Sequence, residues 1–493
     1  MENPKLPPLN RPGNKTIIAL LWSFLERSGQ DLMQFVVTVI LARLLAPAEF
    51  GMIAMLAIFM AVAQSLIDSG FGSALIQKQD AGHVDECSIF YFNILVGVIA
   101  AGLLCLVAPG IASFYDTPIL APLTRALSLN LVINAFGLIH TSLLTKHIDF
   151  KTQLKVSLLA MFFSGALGIF MAYHGFGVWS LVAQSLSQNF FRTCLLWLFV
   201  SWRPSWAFSF RSLRTLFVFG SNLLFSGLLE TVFQNIYLVI IGKFFSSADL
   251  GFYARAKGIQ QLPTHNIAGS VSRVTYPVFS SRQEDKKRLK VGVRKALSFM
   301  AMVNFPIMIG LAVVAEPLVR VLLTDKWLPC VPYLQLLCAA DILYPLHAIN
   351  LNVLSAQGRS DLYLKLEVSK KILIVVAIAI TYRWGISTMI IGQIVTSFIA
   401  YYLNSYYTSK LLDYSITQQM KDVMPLLIIS CITGGAAYGL KHFQLSNDYI
   451  LLIMQIILGA LLYIGLCFLI RIPAFLEILG MIKSRLPVTR RVF

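Results

Sequence analysis

From Ile17 onward the chain alternates long apolar runs with short polar breaks, and the runs have the length of membrane helices. A helix needs about 20 predominantly apolar residues to cross a bilayer. Windows of that size predict fourteen spans, near 17–43, 50–67, 87–108, 120–143, 153–173, 177–200, 216–242, 251–278, 296–315, 331–354, 368–382, 385–407, 423–440 and 448–470. The connectors between them are short and leave no room for a sizeable soluble domain. Met1–Lys15 is polar and Pro-rich, and the apolar run that follows is too long for a cleaved signal peptide, so no processing is expected.

Composition agrees. Of 493 residues, 57% are hydrophobic and 13% charged, with a mean hydropathy of +0.73. A soluble domain cannot bury that much apolar side chain, which makes the chain an all-α polytopic membrane protein. The seven cysteines are scattered without a CxxC pair and read as small buried residues rather than as a disulfide frame or ligands. The net charge of +17 suggests nucleic acid until the charges are placed. With the N-terminus inside, 28 of the 40 Lys and Arg fall in cytoplasmic segments, 6 on the opposite side and 6 inside spans. That asymmetry is the positive-inside rule, puts both termini in the cytoplasm and removes the nucleic-acid reading. The run Arg282–Lys290 is then a loop at the inner leaflet, suited to anionic lipid. Trp22, Trp179, Trp202, Trp327 and Trp384 fall near span ends, as an aromatic belt requires.

Residues 34–54 align with 234–254 without a gap. Gln34/Gln234, Val39/Val239, Ile40/Ile240, Ala48/Ala248, Gly51/Gly251 and Ala54/Ala254 are identical, and Arg43/Lys243 and Glu49/Asp249 keep their charge. Both copies end an odd-numbered span at the outer face, so the repeat is parallel. Six spans belong to each copy and two remain. The expected organisation is a six-helix bundle over 1–200, a cytoplasmic linker over 201–215, a second six-helix bundle over 216–407, and two further spans with a basic tail over 408–493. Parallel halves of this kind suit a transporter that rocks around a central cavity. Arg43, Glu49, Lys243 and Asp249 fall at the membrane boundary, as boundary or gate residues.

Ionisable groups inside spans are costly unless they face a cavity or a partner. The first span holds Glu26, Arg27, Asp31 and Gln34. The seventh holds Glu230 and Gln234, and the fourth and sixth add Arg125 and Arg192. The eighth, with Arg255, Lys257, Gln260, Gln261, His265, Asn266 and Arg273, is too polar to face lipid on any side, and Pro263 favours a kink in it. Six cations (Arg27, Arg125, Arg192, Arg255, Lys257, Arg273) against four acids (Glu26, Asp31, Glu230, Asp341) favour an anionic ligand, and the arginine fork suits phosphate. Plainer readings stand beside this one. Arg27 pairs with Asp31 one helical turn away, Arg125, Lys257 and Arg192 snorkel to the membrane faces, and His265 is a polar lining residue. Asp341 and His347 lie on different helix faces and form no metal pair.

No GxxxxGK[ST] loop, HExxH or nucleophile elbow is present, and the longest outer loop, Glu316–Cys330, is too short to hold a glycan-assembly active site. The stretches "LARLLAPAEFG" (41–51), "DSGFGSALIQKQD" (68–80), "VTYPVFSS" (274–281), "NFPIMIGL" (304–311) and "DKWLPCVPYLQLLCAADILY" (325–344) resemble, in order and spacing, the polysaccharide transporter (oligosaccharide flippase) family of the multidrug/oligosaccharidyl-lipid/polysaccharide exporter superfamily, in particular its colanic-acid and lipopolysaccharide exporter branch. The resemblance covers both halves. It implies two six-helix bundles in a V around a central cavity, and alternating access. The implied substrate is an undecaprenyl-pyrophosphate-linked oligosaccharide moved across the bacterial inner membrane. In the related lipid II flippases cations of the first and eighth helices face the cavity. Arg27, Arg255, Lys257 and Arg273 match by helix, though not by exact position. The two C-terminal spans resemble a pair that makes a lipid-tail groove in that branch. Implied partners are the lipid-linked glycan, membrane lipid, and the polysaccharide polymerase with its chain-length machinery. No cofactor is expected beyond an H⁺ or Na⁺ coupling ion, for which Asp31, Glu26 and Glu230 offer carboxylates. The rivals are a cation-coupled multidrug antiporter, which calls for an acid-rich cavity and twelve spans, and a membrane enzyme of glycan assembly.

Overall fold

The computed structural model describes residues 14–68, 72, 75, 78, 81–443 and 447–485. Among them the regular structure is entirely helical. The α-helices are α1 Asn14–Leu44, α2 Pro47–Asp68, α3 His83–Phe114, α4 Leu120–Lys146, α5 Phe150–Tyr173, α6 Val178–Phe199, α7 Phe210–Phe244, α8 Ser247–Ser280, α9 Lys286–Val313, α10 Ala315–Leu323, α11 Val331–Ala340, α12 Tyr344–Ala356, α13 Ser360–Thr381, α14 Ile386–Leu412, α15 Ile416–Gly439, α16 Asp448–Leu469 and α17 Pro473–Arg485. Each expected span is helical, the tenth in two pieces (α11 and α12). α8 continues through both Pro263 and Pro277.

Among the described residues, ten helical stretches are long and apolar enough to cross a membrane. The helices α1, α6, α8 and α13 fall outside that set. They carry Glu26, Arg27 and Asp31, then Arg192, then Arg255 and Lys257, then Lys365, Glu367, Lys370 and Lys371. A helix with charge on one face fails an average taken all round it, although only part of its surface needs to be apolar.

The chain divides into two compact units, one up to Gly251 and one from Phe252. In the first, α3 packs on α4, α5 on α6 and α1, and α2 on α7. Small residues set the spacing. A Cβ on Gly97 would lie 3.0 Å from that of Ala135, and one on Gly165 would lie 2.7 Å from Val37 Cγ2. The connector before α7 is held on α3: Ser209 N–H donates to Ser88 Oγ at 2.8 Å and Tyr91 to the Ser205 carbonyl at 3.1 Å.

The repeated motif meets its own copy. A Cβ on Gly51 would fall 1.7 Å from the Ser247 carbonyl oxygen, and one on Gly251 would fall 2.0 Å from that of Pro47. The first turns of α2 and α8 therefore cross backbone on backbone, each glycine over the partner's helix start. Both helices begin a turn earlier than hydropathy suggests, because Glu49 and Asp249 cap them. Glu49 Oε2 accepts from the Ala46 N–H at 2.7 Å, and Asp249 Oδ2 from Ser246 Oγ at 2.6 Å, while Ser246 Oγ accepts the Asp249 N–H at 3.1 Å. These are capping contacts at the third helical position in both copies.

The second unit is centred on α9. Met300, Ala301 and Phe305 pack with Leu346 and Val353 of α12 and with Val423, Leu426 and Ile429 of α15. Tyr463 of α16 donates to the Met302 carbonyl at 2.8 Å. Ion pairs fasten the C-terminal helices at both ends. Lys441–Glu316 (2.6 Å) and Arg320–Asp448 (3.4 Å) lie at one, Lys295–Glu477 (2.8 Å) and the Arg294–Asp422 pair (2.5 Å) at the other. The connector 316–330 is folded rather than open, as α10 and a 3-10 turn Asp325–Cys330. Trp327 is consequently fully buried, with Phe252 edge-on at 5.9 Å, and is no part of an aromatic belt. Trp384, 67% exposed, still fits one.

Candidate functional site

In the first unit, α1 shows two exposed faces. Leu25, Leu32, Val36 and Ile40 expose an apolar stripe suited to lipid. About half a turn away, at 100° per residue, Arg27, Asp31, Gln34 and Thr38 form a polar stripe, with Arg27 and Gln34 exposed. Gln34 Nε2 donates to Thr38 Oγ1 at 3.3 Å, and Gln30 Nε2 to Glu26 Oε1 at 2.7 Å. α7 repeats the second bond, with Gln234 Nε2 donating to Glu230 Oε1 at 3.1 Å. The first helix of each repeat thus carries a carboxylate steadied by a glutamine one turn on.

Arg192 of α6 does not stand alone. Glu26 and Asp68 both act on it electrostatically, and Asp68 accepts from Gln64 Nε2 at 3.0 Å. Asp68 escapes a hydropathy reading because it closes an apolar helix and looks like the first residue of a loop. The i, i+4 pair Gln64/Asp68 was the available signal. Arg125 lies elsewhere in the first unit. It is exposed on α4, on the same face as Leu129, 54% exposed, and among the described residues no acid is found acting on it.

In the second unit, α8 turns a polar face inward. Arg255 lies over the Trp327 ring at 5.8 Å from its centroid, a cation–π geometry. Lys257 faces Asp341, which also adjoins Gln260. Tyr253 OH accepts from Gln393 Nε2 at 3.1 Å. The backbone of His265 and Arg273 belongs to α8, while their side chains lie outside the described residues, as do Lys5, Arg11 and the tail residues Arg490 and Arg491. Lys243 bonds Asp116 Oδ2 at 3.0 Å and lies 5.3 Å from the Phe114 ring centroid. Arg43 is exposed close to the end of α1.

The two clusters are polar and partly accessible, and they hold cations near carboxylates or an aromatic face. They can bind an anion or exchange a proton. No group of three or more His, Cys, Asp or Glu is arranged for a metal among the described residues. A groove of about 550 Å³ between α2, α3 and α7, walled by Phe59, Val62, Leu103, Val107 and Val239, is hydrocarbon throughout and offers nothing to a sugar or a phosphate.

A family model described as "Polysaccharide biosynthesis protein" matches residues 40–332. The teichuronic acid biosynthesis protein TuaB of Bacillus subtilis (strain 168) is 28% identical over 82% of this chain and 85% of its own. The lipopolysaccharide biosynthesis protein WzxC of Escherichia coli (strain K12) is 25% identical over 85% of this chain and 88% of its own. The lipid II flippase MurJ in an inward closed conformation superposes with a TM-score of 0.72 at 14% identity, over 94% of this chain and 100% of its own. An inward-facing multidrug resistance MATE transporter of the MOP superfamily superposes with a TM-score of 0.60 at 16% identity, over 81% of this chain and 99% of its own.

Proposed function

The chain belongs to the polysaccharide biosynthesis protein family of membrane transporters, and from that premise we propose that it is a flippase for undecaprenyl-pyrophosphate-linked oligosaccharide repeat units. It carries them from the inner to the outer leaflet of a bacterial inner membrane, with both termini in the cytoplasm. The observation that carries the reading is the family match across residues 40–332, in a multi-pass helical protein whose relatives are named for teichuronic acid and lipopolysaccharide biosynthesis.

The working parts follow from the charges. Each unit offers cations to the pyrophosphate, Arg27 and Arg192 in the first and Arg255, Lys257 and Arg273 of α8 in the second. The polar stripes of α1 and α7 bond the sugars, and the polyprenyl tail stays in lipid. Fourteen spans in two six-helix bundles and a C-terminal pair expose the site alternately to each side. Glu26, Asp31 and Glu230 couple the cycle to H⁺ or Na⁺. The chemistry is translocation, with no bond made or broken.

A multidrug antiporter is the second reading, favoured by the acids Glu26, Asp31 and Asp68 in the first unit. The fold argues for the flippase, since the MurJ structure spans 94% of the chain and the MATE structure 81%. Deletion of the gene tests the choice. Lipid-linked repeat units that accumulate on the cytoplasmic face support the flippase. Normal glycan export together with drug sensitivity supports the antiporter.

A further inference from the structure

The tenth expected span is broken inside the second unit. α11 ends at Ala340, α12 starts at Tyr344 with Pro345 in its first turn, and Asp341–Leu343 form the turn between them. Irregular backbone at membrane depth must have its polar groups met by protein. Here Asn304 of α9, 1% exposed, donates to the Ile342 carbonyl at 2.7 Å. The break is therefore built, and it sets one carboxylate, Asp341, at the junction of two half-helices. Transport proteins use such junctions to hold ions.

One stripe of α8 carries Lys257, Gln260 and Thr264 at i, i+3 and i+7; the first two adjoin Asp341, and Thr264 Oγ1 meets Met308 Sδ of α9 at 3.5 Å. Gln260 and Thr264 are fully buried, and Gln260 Nε2 donates to Thr264 Oγ1 at 3.0 Å. Among the described residues, the titratable groups that act on Asp341 electrostatically are Lys257 from α8 and Cys338 from its own α11, while α9 presents the neutral Asn304. Arg255 turns instead to Trp327, and His347 is engaged by Asn404 Nδ2 at 3.2 Å and Ser397 Oγ at 3.4 Å. The pair Lys257–Asp341 is neutral as it stands, so Lys257 offers little field to an anion. One proton added to a carboxylate oxygen of Asp341 makes the pair a net cation, with no other bond changed.

We propose that Asp341 is a proton site that sets whether Lys257 is available to an anionic substrate: the carboxylate holds Lys257, and the carboxylic acid releases it to a phosphate group. The identity of the anion rests on the function proposed above, so the test uses inorganic pyrophosphate. Titration calorimetry of the purified full-length protein, in two buffers of different ionisation enthalpy, counts the protons taken up per pyrophosphate bound. At equal pH the probe's own protonation cancels between variants.

Wild-type protein is expected to take up about one proton more than Asp341→Asn. Its affinity rises about tenfold from about pH 8 to about pH 6, whereas Asp341→Asn binds at the high pH as wild type does at the low one. Lys257→Gln weakens binding, and Asp341→Asn no longer rescues it. Asp341→Glu, which keeps a titratable group, retains the proton uptake and guards against a variant that merely misfolds. An Asp341→Asn protein with the wild-type proton count and pH profile overturns the proposal, as does wild-type protein that binds no pyrophosphate at any pH. Proton-linked binding in a protein whose deletion leaves glycan export intact would sink the flippase reading and leave this one standing.

Discussion

Replacing Gly51 by alanine tests the crossing of the repeated motifs. The new Cβ falls 1.7 Å from the Ser247 carbonyl oxygen, 2.6 Å from its carbon and 3.1 Å from the Gly251 nitrogen. Carbon and oxygen atoms settle at about 3.3 Å or more, so the two helix starts must part by about 1.5 Å. The obstacle is backbone and no side-chain rotation relieves it. Alanine gains about 1 kcal/mol over glycine in a helix, while overpacking of this severity costs about 3 kcal/mol, leaving about 2 kcal/mol of destabilisation. For a unit of this size that corresponds to roughly 4–8 °C in thermal midpoint. Tryptophan-fluorescence melting of the purified protein in detergent reads it. Gly251→Ala should match, because its Cβ meets the Pro47 oxygen at 2.0 Å, and the double variant should lose less than the sum because both act on one crossing. Gly102→Ala and Gly258→Ala, with nothing within 4 Å of the added carbon, are the controls and should melt at or above wild type. Gly51→Ala and Gly251→Ala proteins that melt with the controls would refute the close crossing.

Charge reversal of Arg255 and Arg273 together should lower lipid-linked glycan translocation at least about tenfold in a cell-based export assay, and unchanged export would end the anion-binding role of α8. Asp249→Ala removes the acceptor for Ser246 Oγ and should cost about 1 kcal/mol in the same melting experiment, whereas Asp249→Glu should recover most of it. Truncation before α15 strips Val423, Leu426, Ile429 and Tyr463 from the core of the second unit, so the shortened chain should elute as aggregate in size-exclusion chromatography, and a monodisperse product would show the C-terminal helices to be accessory.

The helical layout was legible because membrane helices announce themselves by length and apolarity, and the charge asymmetry of the loops is a count that needs no structure. The repeat was legible from polar letters in register, yet the use of its acids was not. Glu49 and Asp249 read as boundary charges until their carboxylates were seen on helix starts. Partners separated in sequence stayed hidden: nothing in the order of residues places Asp68 by Arg192, or Trp327 under Arg255. The break at Asp341 lay inside a run that hydropathy reads as continuous, because Ala340, Ile342 and Leu343 keep the average apolar.

The most direct test of the transport reading is a reconstituted flip assay. Purified protein in proteoliposomes is given a fluorescent polyprenyl-diphosphate-linked oligosaccharide on both leaflets, and a membrane-impermeant quencher is added outside. A flippase exposes the inner pool, so fluorescence falls toward zero with wild-type protein and stops near half with the Arg255/Arg273 charge-reversed protein. Quenching that stops near half with both, as in protein-free vesicles, would contradict the account.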